Sequence, residues 1–156
     1  MFSRIAKLVY PQALAPRIDL GLLLLRVATI LPLFLKHGLE KILNFSQMAQ
    51  QFPDPLHIGM LPTLVIAYIS DVLCSVLVML GVATRWAALF MFSNLLVAWS
   101  LRQGFMFWSR QNWHGEMTVV YLGALLAILF TGPGKYSIDG LILRRLGRGQ
   151  SQEGPE

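Results

Sequence analysis

The stretch "LGLLLLRVATILPLFLKHG", Leu20 to Gly38, decides how the chain is to be read, because it sets Arg26 inside a leucine run that looks long enough to cross a membrane. A hydrocarbon core about 30 Å thick takes roughly 20 helical residues. A guanidinium fixed inside one needs a partner, since leaving it unpaired costs at least about 3 kcal/mol on insertion scales. The run belongs to an apolar segment at 19–40, and three more follow at 61–80, 84–103 and 115–132. The second and third are joined only by "GVATR", Gly81 to Arg85, which forces an antiparallel hairpin. Pro32 should kink the first segment, where its ring removes one backbone hydrogen bond. The expected fold class is all-α: an antiparallel four-helix bundle integral to the membrane.

Composition agrees with that reading. The chain is 55% hydrophobic and only 13% charged, whereas a soluble domain carries about 25% charged residues. The net charge of +5 does not point to nucleic acid, because the cations sit beside apolar runs and form no separate basic patch; the lipid bilayer is the expected acidic partner. Cys74 is the only cysteine, so no intramolecular disulfide and no cysteine metal cage can form. Residues 1–18 alternate Phe2, Ile5, Leu8 and Val9 with Arg4 and Lys7, as suits a short interfacial segment. The membrane domain should span 19–140, and 141–156 should form a basic, disordered tail.

Counting Lys and Arg orients the chain. One side would hold Arg4, Lys7, Arg17, Arg85, Lys135, Arg144, Arg145 and Arg148, the other Lys36, Lys41, Arg102 and Arg110, which places both termini in the cytoplasm. The expected location is the membrane that bounds the cytoplasm.

At 100° per residue, Arg26, Thr29, His37, Glu40, Lys41 and Asn44 fall along one side of the first helix. Ala67, Asp71, Cys74 and Ser75 share a face of the second; Ala87, Asn94 and Ala98 share one on the third, and Glu116, Gly123 and Ala127 on the fourth. Small residues beside polar ones mark surfaces where membrane helices touch, so these faces should point inward. Arg26, Asp71 and Asn94 each lie near the middle of a helix, which suggests a buried Arg26–Asp71 pair assisted by Asn94. Its ordinary role would be to fix helix register.

"KHGLEK", Lys36 to Lys41, and "NWHGEM", Asn112 to Met117, gather at the outer mouth. His37, Lys41, His114 and Glu116 there form a candidate ligand or proton site. His114 and Glu116 are two apart, an unusual ligand spacing on one helical face, and no metal is expected. No phosphate loop, nucleophile elbow or paired-cysteine motif occurs.

Together, "LLLLRV", "KHGLEKILNF", the second-helix acid followed by "LGVATRWAAL", and "HGEMTVVYLGALLAILFTGPGKYSID" resemble the DoxX family of small four-helix bacterial membrane proteins over about 19–140. On the family's recurring pattern fall Arg26, His37, Gly38, Lys41, Asp71, Gly81, Arg85, Glu116, Gly132, Gly134, Tyr136, Ser137 and Asp139. The family more often has glutamate where Asp71 stands, glycines near Cys74 and Ser75, and glycine at His114.

The resemblance implies a membrane component of a redox system, either a quinone-linked oxidoreductase subunit or a membrane partner of soluble redox enzymes. Quinone is the implied cofactor. Because the chain shows no flavin, haem or iron–sulfur motif, electrons would arrive from a protein partner. The alternative is a non-catalytic scaffold or small-solute carrier, accompanying a modified metal-binding peptide system. Four helices are few for a carrier, so that reading calls for a homo-oligomer.

Overall fold

The computed structural model describes residues 15–102 and 114–150, and every regular element within them is a helix. Four rods account for most of it. The first runs through α1 (Ala15–Leu33), a π-helical turn (Phe34–Gly38) and α2 (Leu39–Leu43), and is followed by the short α3 (Phe45–Gln51). The second comprises α4 (Met60–Tyr68), a π turn (Ile69–Cys74) and α5 (Ser75–Leu80). The third is α6 (Thr84–Val97) with a π turn at Ala98–Arg102, the fourth is α7 (His114–Thr131), and α8 (Ile138–Gln150) closes the described chain. Among these residues two helices, Ile18–Leu43 and Met60–Leu80, are long and apolar enough to cross a membrane; Gly115–Thr131 is apolar but shorter.

Local sequence explains the breaks. Pro16 lies in the first turn of α1, where a missing N–H removes no helical bond. Pro32 sits inside the same helix; it donates no N–H and crowds the carbonyl four residues back. The backbone widens into a π turn two residues later. Gly81 ends α5 at φ 74°, and the N–H groups of Gly81 and Val82 return to the carbonyls of Val78 and Leu77. That left-handed cap is one for which glycine carries no Cβ penalty.

Each rod packs on two others: α1 against α5 and α7, and α6 against both the second rod and α7, the α6–α7 contact being the most extensive. Ile30, Leu33, Val78, Ala88, Met91, Leu125 and Ile128 fill the centre.

Two expectations need correction here. The buried side of α7 carries Gly115, Thr118, Leu122, Leu125 and Ile128, whereas Glu116 and Gly123 are exposed. Leucine and isoleucine at helical spacing fill the space against α6 better than the small-residue stripe does, and they set the rotation of the helix. Residues 141–150, expected to be disordered, continue α8. Its first turn is pinned by Asp139 N–H donating to the Gly81 carbonyl at 2.9 Å and Gly140 N–H donating to Ser137 Oγ at 2.9 Å. Of the expected interfacial segment, 1–14 lie outside the described residues, and 15–18 already belong to α1.

Candidate functional site

Polar side chains collect at the two ends of the rods, and the ends differ in kind. At the end where α5 meets α6, Arg26 is 1% exposed. It donates from Nη2 to the Tyr136 carbonyl at 2.6 Å and from Nη1 to the Val78 carbonyl at 3.4 Å. Gly81 lies against it: a Cβ there would collide with Arg26 Nη1 and with the Ser137 side chain. Asp139 accepts from the N–H groups of Ala83 (3.0 Å) and Thr84 (3.1 Å) and from Thr84 Oγ1 (3.2 Å). It thus caps α6 from a distant part of the chain. Lys135 and Asp19 pair at 3.2 Å beside this turn. Most of these bonds tie backbone to side chain, so the end acts as a clasp.

The expected Arg26–Asp71 pair does not form; Asp71 belongs to Lys41, with Nζ to Oδ2 at 2.7 Å. The reason is register. Gly38 lets the first rod press on the second, since a Cβ there would lie 2.7 Å from the Asp71 carbonyl oxygen. From that crossing, the twelve residues back to Arg26 cover about 18 Å, and the ten on to Gly81 about 15 Å. Arg26 is therefore level with Gly81, far from Asp71. Depth judged from the centre of each apolar run misplaced both residues, because the first rod continues to Leu43.

At the opposite end the rods border a half-open cavity of about 920 Å³. Lys36, His37, Glu40 and Lys41 line it from the first rod, Ser70 and Asp71 from the second, Asn94 from α6, and Thr118 and Tyr121 from α7. Leu33, Met91 and Leu125 join it to the core, while Gln47, Gln51 and Phe52 border it from α3 and the following loop. The Lys41 and Asp71 side chains are 7% and 16% exposed, and Lys41 Nζ also donates to the His37 carbonyl at 3.4 Å. Asp71 lies within one π turn, and Lys41 follows another. Such turns widen a helix and recur at functional sites.

The loop beside the cavity is organised by Asp54, which accepts from the N–H groups of Gly59 (2.6 Å) and Ile58 (3.2 Å) and from Thr63 Oγ1 (2.8 Å). Desolvation works to raise its carboxyl, but these three donors outweigh it and hold the group below the usual carboxylate range.

Of the residues singled out from sequence, His37, Lys41, Asp71 and Asn94 meet at the cavity, and Arg26 stands apart at the clasp. Glu116 is a correction: it is exposed and does not line the cavity, because the rotation of α7 turns Thr118 and Tyr121 inward instead. The side chain of His114 lies outside the described residues. Among the described residues no three His, Cys, Asp or Glu side chains converge as metal ligands. Sequence reading missed Ser70, Thr118 and Tyr121. The last two could have been found by drawing the α7 face from Leu122 and Leu125 rather than from its glycines.

A family model described as DoxX matches residues 21–107, a span that takes in Arg26, His37, Lys41, Asp71 and Asn94. No curated protein and no solved structure matches the chain.

Proposed function

The chain belongs to the DoxX family, and from that premise we propose that it is a multi-pass membrane component of a redox system whose cavity receives a quinone headgroup. In this reading the four rods form an antiparallel bundle in the bacterial inner membrane, with both termini cytoplasmic and the cavity toward the outer face. Membrane insertion is supported by the apolar surface: Leu24, Leu73, Leu80, Trp86, Val120 and Phe130 are all exposed. Water-soluble proteins rarely leave so many large apolar side chains uncovered in contiguous patches. Orientation rests on the excess of Lys and Arg at the clasp end.

The single observation that carries the ligand reading is a large cavity with a part-buried ion pair in one wall and apolar residues behind it. About 300–1,000 Å³ is the ordinary size of a small-molecule site. A quinone would supply the two-electron carrier. The chain's own contribution is to hold the ring and move protons. Lys41, fixed by Asp71, keeps a positive charge at the wall; the Asn94 amide and Tyr121 hydroxyl offer hydrogen bonds across the cavity; and His37 can exchange a proton. Electrons come from a soluble protein partner, since the sequence has no redox-centre motif of its own.

The test is purification from native membrane in mild detergent, extraction, and chromatography of the extract for quinone, followed by redox turnover with candidate partners. Stoichiometric quinone and partner-dependent turnover support the reading. A protein that carries no quinone and takes up none when it is added overturns it.

A further inference from the structure

Two hydroxyls on the second rod are buried without a hydrogen-bond partner, Ser70 Oγ and Ser75 Oγ. The residues are 1% and 0% exposed. A serine or threonine inside a helix commonly returns its hydroxyl to a carbonyl one turn back. Ser93 does so to Leu89 at 2.9 Å and Thr131 to Ala127 at 2.6 Å. Ser70 does not, and an orphaned buried hydroxyl is destabilising. It sits in the π turn beside Asp71, whose Oδ2 is already taken by Lys41. The two orphans differ in one respect: Ser70 forms part of the cavity wall and Ser75 does not.

We propose that Ser70 is a ligand-contacting residue of this cavity, its hydroxyl, which the wall covers, turning about its Cα–Cβ bond to donate to a ring carbonyl of the bound molecule. The assignment rests on the quinone reading above and deepens it by naming the donor. A carbonyl suits the site chemically. The Ser70 hydroxyl, a rotor with its proton free, is a spare donor, and Lys41 and Asn94 in the same wall are donors too. An acceptor-rich ring therefore meets complementary groups.

The test uses the full chain in detergent micelles and a benzoquinone carrying one isoprenyl unit as probe, with affinity read by calorimetry and stability by thermal unfolding without probe. Ser70→Ala should weaken probe binding by about 2- to 10-fold, the worth of one hydrogen bond. Its melting temperature without probe should be unchanged or higher, because an unpaired polar group has been removed. Ser75→Ala should match that stability change and leave affinity untouched. Wild-type protein that binds the probe together with a Ser70→Ala variant that binds it equally well overturns the assignment of Ser70 and leaves the quinone reading standing. Equal losses in both variants overturn it as well, by showing a general effect of the rod. Wild-type protein that does not bind the probe overturns the quinone reading and the assignment with it.

Discussion

Replacing Lys41 with Met should destabilise the protein by about 3 kcal/mol, and most of that loss should vanish when Asp71 is replaced by Leu in the same chain. The charges touch at 2.7 Å with side chains only 7% and 16% exposed. Unit charges 4 Å apart attract by about 4 kcal/mol at an effective dielectric of 20. Removing one partner of a buried pair costs about 3–5 kcal/mol, because the survivor stays behind uncompensated, whereas replacing both by apolar residues of similar volume is often neutral. Residual solvent access puts this pair at the lower end of that range. A double-mutant cycle on unfolding by increasing fractions of anionic detergent should return a coupling of about 2–3 kcal/mol. The same cycle on Arg26→Met and Asp71→Leu should be additive within about 0.5 kcal/mol, because Arg26 bonds to the carbonyls of Val78 and Tyr136. Additive behaviour of Lys41 and Asp71, or strong coupling of Arg26 to Asp71, would refute the register set out above.

Gly81→Ala should cost about 2 kcal/mol or more in thermal unfolding, since the position combines φ 74° with a Cβ driven into Arg26 and Ser137; an unchanged melting temperature would contradict the clasp. Ala83 holds φ 45° without being glycine, so Ala83→Gly should relieve about 1–2 kcal/mol of strain against up to about 1 kcal/mol of added chain entropy. The net effect, neutral to stabilising by about 1 kcal/mol, is measurable by the same melt, and a clear loss would refute it. Asp54 is held below its usual range, so its contribution is complete above the unfolded value of about 3.9 and is lost as pH falls through the lower folded value. Limited proteolysis of the 52–59 loop should therefore accelerate on acidification below about pH 4, and Asp54→Asn, already less well bonded, should show a flatter profile; parallel profiles would exclude Asp54 as the cause.

Much of this arrangement was visible in the residues, and the misses have physical causes. Helical periodicity placed His37 and Lys41 on one side of the first rod and Asp71 and Asn94 on inward faces, and all four reach one cavity. Period alone says nothing of axial offset between neighbouring helices. That offset is fixed by a single close approach, Gly38 against the Asp71 carbonyl, so the partner of Arg26 could not be read from depth. The π turns were equally hidden, because each alters angular phase within a helix whose composition does not change. On α7 the small-residue rule pointed to Gly123, which is exposed, while Leu122 and Leu125 are buried. There the bulk of the packing residues outweighed the capacity for close approach. Gly81, Tyr136, Ser137 and Asp139 had no evident shared purpose in the linear chain. Folding brings Gly81, Tyr136 and Ser137 to the Arg26 guanidinium, while Asp139 caps α6 beside them.

The two ends are connected by the same helix and yet suited to different tasks. Arg26 and Lys41 lie fifteen residues apart on the first rod, about 22 Å along its axis, each meeting the second rod at its own level. At the clasp the acceptors of Arg26 are main-chain carbonyls and the donors to Asp139 are mostly main-chain amides, so moving either side chain would strip hydrogen bonds from the Tyr136 carbonyl and from the Ala83 and Thr84 amides. Such a site resists rearrangement and holds the rods in register. At the cavity the principal contact is between two side chains, Lys41 and Asp71, and a neighbouring hydroxyl is left over. Side chains can reorient around an incoming molecule without breaking a helix, and the widened turns that carry them give room to do so.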